Sequence, residues 1–417
     1  MTVHPAELLQ GEIEVPGDKS ISHRAVIFGA LSRGRTILHH LLEGEDLLRT
    51  VQIFRDLGVS IEKKRDAWVV EGRGVSGLKR SPAPLYCGNS GTTMRLMAGV
   101  LAALPFESVL TGDASLDRRP MGRVMEPLTR MGGKIFEETR KGRRFIHIAA
   151  SGLKPIRYRM PVPSAQVKSA LLLAGFVSGV KVEVQESIKT RDHTERMLKL
   201  FRDRCGKELT LPGDPSSAAF FVVAALIHPD PKTGITLRNV CVNSTRTGFL
   251  KVLERMGGKS RKTPRPALGG EEVADLRITP HPLSSVTIGG KIVPSLIDEV
   301  PILAAAASRA KGKSLFRGMG ELRVKESDRI RSIASQFSRF GIPVVEKKTG
   351  FDLTGVPRVR GATLESYGDH RMAMSLAVLG SVASGESEIR DVDCIQTSYP
   401  DFVRTFNKIG GNLLLTP

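Results

Sequence analysis

The chain is poor in aromatic side chains: they make up 5% of it, with a single Trp. Proteins that read single-stranded nucleic acid stack bases on aromatic platforms, so this scarcity argues against that class. Cysteine is sparse too. The four residues, at 87, 205, 241 and 394, show neither metal-ligand spacing nor a paired framework, which fits a reducing cytoplasm and excludes a disulfide scaffold. No apolar run approaches the length of a membrane span, and no apolar leader follows Met1; a soluble, cytoplasmic protein without a membrane partner is expected. The phosphate loop GxxxxGK[ST] is also missing. Gly258-Lys259-Ser260 and Gly312-Lys313-Ser314 have Leu253 and Ala307 where the first glycine must stand, which argues against a P-loop nucleotide hydrolase.

What is present is length, ordinary core composition and positive charge. The 417 residues, 41% hydrophobic, suffice for two or more domains. Lys and Arg number 62 against 43 acidic residues, a net charge of +19, so the partner should be anionic: nucleic acid or small polyanions such as phosphates. The basic residues are dispersed, and the densest runs, around Arg118-Arg119 and Arg140 to Arg144, are short. A dedicated nucleic-acid tail would be a longer block.

The chain also repeats itself. Gly17-Asp18-Lys19-Ser20 leads into the apolar run Ala25–Leu31, and Gly213-Asp214-Pro215-Ser216 leads into Ala218–Ile227. Four further segments have the same form, with a small or polar residue before an apolar run: Asn89-Ser90-Gly91, Ser164-Ala165-Gln166, Asp298-Glu299 and Asp369-His370-Arg371. Each predicts an N-capped helix lying deep in a domain. Between them, helix-like stretches end at Gly58, Gly132, Gly206, Gly257, Gly341 and Gly410 and turn strand-like. A glycine there supplies the left-handed position just past a helix end. The pattern predicts six β–α–β–α–β units, three per half. The interval from Gly206 to Gly257 is the shortest, so one unit has lost about a hairpin's worth of chain.

Helix N-termini carry partial positive charge and free N–H groups. Here they also carry Lys19, Arg24, Arg119, Lys325, Arg329 and Arg371, with Asp298 and Glu326 as nearby acids. Unpaired cations at about 4 Å repel by roughly 4 kcal/mol at an effective dielectric near 20. Such a site is expected to stand open when empty and to close on polyanionic ligands.

In order along the chain, PGDKSISHR, GNSGT-MR, RRPM, P-SAQVKSALLLAG, TRDHTERML, PGD-SSAAFF, IDE-PILA, RVKESDRI and GDHRMAM resemble the 5-enolpyruvylshikimate-3-phosphate (EPSP) synthase family. The resemblance implies an α/β fold of two similar domains, each an inside-out α/β barrel of three βαβαββ repeats. The lobes are expected at 17–211 and at 1–16 plus 212–417, with the active site in the cleft between them. It implies transfer of the enolpyruvyl group of phosphoenolpyruvate to the 5-hydroxyl of shikimate 3-phosphate, by a monomer needing no metal and no cofactor. By motif position, Lys19, Ser20, Arg24, Ser164, Ala165, Gln166, Asp298 and Lys325 would hold shikimate 3-phosphate. Lys19, Gly91, Arg119, Gln166, Arg329 and Arg371 would hold phosphoenolpyruvate. Asp298 would be the base, with Glu326 and Lys19 as proton donors or relays.

Three features depart from the family pattern. Ala165 stands where some members have Ser, the stretch Gln396 to Pro400 lacks a Lys found in some, and Phe201 to Leu211 is short, leaving the third unit incomplete. The alternatives are a UDP-N-acetylglucosamine enolpyruvyl transferase and a nucleic-acid-end-processing protein of similar fold. The first resembles a design with a Cys-bearing loop before its Arg-Pro turn, and Gly112 to Arg118 contains no Cys.

Overall fold

The computed structural model describes Met1 to Leu415. The chain divides into two compact units. One holds Gly17–Leu211 with Leu268–Glu271; the other holds Met1–Pro16, Pro212–Ala267 and the chain from Glu272 onward.

The first unit is organised around three buried helices, Lys19–Leu31, Gly91–Leu101 and Ala165–Ser178. Each begins at a residue whose side chain caps it: Asp18 accepts from Ile21 N, Ser90 from Thr93 N and Ser164 from Val167 N. Between Ile21 and Leu31 every residue of the first helix is buried. Such all-round burial requires the near absence of charge read in these segments. Three sheets accompany the helices. In the first, Arg33–His39 pairs parallel with Glu208–Thr210 and antiparallel with Ala67–Arg73, which pairs with Ser60–Lys64. The second repeats this order, with Leu85–Tyr86 parallel to Ser108–Thr111 and the hairpin Lys134–Arg140/Arg143–Ala149 antiparallel beyond it. The third has only the parallel pair, Ile156–Arg159 with Val182–Gln185.

The second unit has the same plan and three complete four-stranded sheets. In the sheet of Thr287–Ile288, Lys313–Phe316, Gly350–Thr354 and Val344–Lys347, one parallel pairing is followed by two antiparallel ones. Thr363–Glu365, Ser387–Arg390, Thr2–His4 and Asn412–Leu414 follow the same sequence of pairings. Its core helices are Pro215–Ile227, Val300–Ser308 and His370–Gly380, every residue of which is buried. Asp214 and Asp369 cap the first and last, while a 3₁₀ turn, Ile297–Glu299, leads into the middle one.

The six-fold repetition is therefore present, three sheets to a unit, and the missing hairpin falls in the third. One reading needs correction. Gly58, Gly132, Gly257, Gly341 and Gly410 are left-handed, with φ between 81° and 101°, as expected past helix ends. Gly206 is not. The helix before it ends at Leu200, and Gly206 lies in the short link that replaces the hairpin, its N–H donating to Arg33 O at 2.8 Å. Glycine is required there for space: a Cβ would lie 2.1 Å from Arg35 O. In the same link Arg204 sits 4.4 Å above the Phe176 ring, covering an aromatic face that no hairpin shields.

Candidate active site

In the first unit the helix openings hold their functional groups through contacts within that unit. Lys19, the first residue of its helix, donates to Asp46 Oδ2 at 3.0 Å. Arg24, one turn later, is 3% exposed. Its guanidinium donates to Ser20 O at 2.7 Å, Thr194 Oγ1 at 2.6 Å and Ser169 Oγ at 2.6 Å. Arg24 thus ties the backbone of Ser20 to the Ala165–Ser178 helix and to the helix containing Thr194. Arg191 reaches Ser20 Oγ at 3.4 Å.

Gln166, in the first turn of its helix, has a defined amide orientation. Oε1 accepts from Arg95 Nη1 at 2.7 Å and Nε2 donates to Thr92 Oγ1 at 3.0 Å. Arg95 also donates to Pro120 O at 3.1 Å, joining the Gly91 opening to the Arg119-Pro120 turn. At Gly91 a Cβ would lie 2.7 Å from Arg95 Nη1 and 3.4 Å from Arg119 Nη1, so a side chain there would compete with both guanidinium groups. Ala165 presents no polar side chain and contributes only backbone.

Behind Lys19 lies a buried polar chain. His23 Nδ1 contacts Thr50 Oγ1 at 2.8 Å, Thr50 contacts Thr93 at 2.9 Å, and Thr93 Oγ1 reaches Asp46 O at 3.2 Å. Burial, and then the charges of Lys19 and Arg24, push the His23 imidazole well below the usual histidine range, so it stays neutral.

The second unit gathers the remaining predicted residues. Lys325 donates to Asp298 Oδ1 at 3.2 Å, and Arg329 Nη1 lies 3.7 Å from the same oxygen. Arg329 Nη2 donates to Glu326 Oε2 at 2.7 Å. Arg371 Nη1 donates to Asp298 O at 3.1 Å. Asp298, Glu326, Lys325, Arg329 and Arg371 therefore form one cluster. Arg329 is fully buried. Burial alone would lower its pKa, but Asp369, Glu326 and Asp298 outweigh that and raise it, so it is a permanent cation. Conversely, burial would raise the Asp369 carboxyl, and Arg329 beside it draws it below the ordinary value.

The expectation of unpaired, mutually repelling cations is not met at Lys19, Lys325, Arg329 and Arg371. Lys19 has Asp46, Lys325 has Asp298, Arg329 has Asp369 and Glu326, and Arg371 stands 3.6 Å from Glu299 Oε1. Neutralising a cation internally is favoured over leaving a buried charge exposed to like charges. The residues that do this most directly, Asp46, Asp369 and Glu299, and the linker Arg95, were not among the predicted site residues. Asp369 and Glu299 stand beside Arg371 and Asp298 in helix-opening motifs, and that adjacency was a usable signal. Asp46 is 27 residues from Lys19 and gave none.

Two α/β units of triplicate repeat, each lining buried-helix N-termini with cations and carboxylates, define a duplicated α/β enzyme class suited to phosphate- and carboxylate-bearing substrates. The particular assignment follows from comparison. The profile of EPSP synthase (3-phosphoshikimate 1-carboxyvinyltransferase) matches residues 3–204 and 202–406, and this chain belongs to that family. It is 45% identical over 423 residues to the 3-phosphoshikimate 1-carboxyvinyltransferase of Geotalea uraniireducens, covering 98% of both chains. It is 47% identical over 427 residues to that of Desulforudis audaxviator, covering 98% of this chain and 99% of the relative. The solved EPSP synthase of Acinetobacter baumannii superposes with a TM-score of 0.85 at 40% identity, covering 98% of each chain. Among the described residues no helix is long and apolar enough to cross a membrane.

Proposed function

We infer that this protein is an enolpyruvyl transferase of chorismate and aromatic amino-acid biosynthesis. It joins phosphoenolpyruvate to the 5-hydroxyl of shikimate 3-phosphate and releases phosphate. The observation that carries this reading is the Asp298 cluster: two carboxylates, Asp298 and Glu326, held by Lys325 and Arg329 in a chain whose family motifs run nearly end to end. The alternative acceptor, UDP-N-acetylglucosamine, is not favoured.

The chemistry assigns the roles. Asp298 takes the proton of the 5-hydroxyl while the hydroxyl oxygen bonds to C2 of phosphoenolpyruvate. Glu326 or Lys19 delivers a proton to the methylene carbon, giving a tetrahedral adduct. Phosphate then leaves from C2 as the new methyl group loses a proton, restoring the double bond. Shikimate 3-phosphate is held by Lys19, Ser20, Arg24, Ser164, Ala165, Gln166, Asp298 and Lys325, with Arg24 acting through the Ser20 backbone. Phosphoenolpyruvate is held by Lys19, Gly91, Arg119, Gln166, Arg329 and Arg371. Binding replaces internal carboxylate partners with substrate anions, and the fixed cations orient the two reactants. The enzyme works in the cytoplasm as a monomer without metal or cofactor.

The test is phosphate release. It is expected only when shikimate 3-phosphate and phosphoenolpyruvate are both supplied. Turnover with UDP-N-acetylglucosamine in place of shikimate 3-phosphate would reassign the acceptor, and release from neither mixture would reject the function.

A further inference from the structure

One buried ionic chain in the second unit reaches Arg371 through residues given no role above. Arg246 is 2% exposed, although it lies on the loop before the Gly248–Arg255 helix. Its Nη2 donates to Asp214 Oδ1 at 3.0 Å and to Ser216 Oγ at 2.9 Å. The Ser216 hydroxyl in turn donates to Glu299 Oε1. Glu299 is 2% exposed and immediately follows Asp298. Its Oε1 stands 3.6 Å from Arg371 Nη1, which also donates to Asp298 O. The other carboxylate oxygen, Oε2, is buried with no hydrogen-bond partner among the described residues.

This arrangement is costly to build. A buried carboxylate with one oxygen unsatisfied persists only where a neighbouring charge repays it. On its far side that charge is Arg246, acting through Ser216. On its near side it is Arg371. Arg371 needs such a partner: it is the second residue of the His370–Gly380 helix, whose N-terminal dipole repels a cation, and the capping Asp369 is already engaged by Arg329. The chain Arg246–Ser216–Glu299–Arg371 joins the openings of the three fully buried helices of this unit.

We propose that Glu299 is a positioning residue for the transferase reaction: anchored through Ser216 to Arg246, it holds the Arg371 guanidinium against the Asp298 carbonyl, so that the phosphoenolpyruvate cation keeps one geometry. This rests on the reading of Arg371 as a phosphoenolpyruvate ligand. Glu299 touches neither substrate and acts only through Arg371.

The experiment is steady-state kinetics on the full-length Glu299→Gln enzyme, varying each substrate separately. The amide retains an acceptor for Ser216 but lacks the charge that restrains Arg371. KM for phosphoenolpyruvate should rise roughly tenfold, while kcat and KM for shikimate 3-phosphate stay within about twofold. Glu299→Asp, which keeps the charge one methylene short, should fall between the variant and the wild type. If Glu299→Gln does not fold, Ser216→Ala keeps both charges and cuts only the bridge, and KM for phosphoenolpyruvate should rise roughly threefold. A lowered melting temperature with unchanged KM for phosphoenolpyruvate would make Glu299 merely structural and overturn the proposal. So would an equal rise in both KM values, or tighter phosphoenolpyruvate binding. Wild-type turnover in the same assay separates this failure from failure of the functional reading; an inactive wild type would overturn both.

Discussion

Arg329 and Asp369 form a two-point ion pair with both side chains out of solvent, at 1% and 0% exposure: Nε to Oδ2 at 2.7 Å and Nη2 to Oδ1 at 3.2 Å. The same Asp369 oxygen that meets Nη2 caps the His370–Gly380 helix through Arg371 N at 2.9 Å. One carboxylate thus fixes both a buried cation and the helix that carries another.

Asp369→Asn retains an acceptor for the cap and removes the charge. Leaving Arg329 buried without this partner is expected to cost about 3–5 kcal/mol, read by chemical denaturation at neutral pH. The pH dependence has a definite sign. Asp369 in the folded protein titrates below the 3.8 of a free side chain because of Arg329. Its contribution is therefore complete above that value and is lost as pH falls through the lower folded pKa. The wild type should show this loss on its acid limb, and the variant should lack that component.

His23 titrates below 6.5 in the folded protein because it is buried beside Lys19 and Arg24. The unfolded chain takes up the proton first as pH falls through that value, so stability declines from there downward. Followed by NMR, the His23 imidazole should titrate only at pH values well below the midpoint of a free histidine. His23→Gln should flatten the decline in melting temperature below that midpoint. A normal histidine titration curve would contradict the burial argument.

Lys19→Ala and Asp298→Asn each remove a group assigned to proton transfer. Each should reduce kcat by roughly 10²- to 10⁴-fold while leaving the circular dichroism spectrum unchanged. Near-normal rates in either variant would remove that residue from the mechanism.

Gly99 marks where the Gly91–Leu101 and Ala165–Ser178 helices meet: a Cβ there would lie 2.1 Å from Ala170 O. The obstacle is backbone, so the helices themselves must part. Gly99→Ala is expected to destabilise by about 1–3 kcal/mol. Because these helices present Gly91 and Gln166, it should also raise KM for phosphoenolpyruvate. An unchanged melting temperature would show that the helices separate freely.

Much of this was legible in the sequence because it is local. A capping Asp or Ser before an apolar run specifies where a helix begins, and five of the six core helices are capped by the residue before them. The sixth, Val300–Ser308, opens instead from a 3₁₀ turn. Left-handed glycines marked five helix ends, and Gly206 misled because the same residue type serves close approach as well as positive φ. The short third interval anticipated a missing hairpin, but that Arg204 would fold back over Phe176 was not readable from spacing.

The sequence by itself determined the periodic plan, the helix openings and the residues that could meet anions, since caps, apolar runs and turn glycines act within a few positions of one another. Only the tertiary structure decided how those charges are balanced. Lys19 with Asp46, Arg329 with Asp369 and Arg246 with Ser216 and Glu299 join residues 27 to 83 positions apart. Coulomb attraction and desolvation depend on separation in space and on burial, and neither exists until the helices have packed.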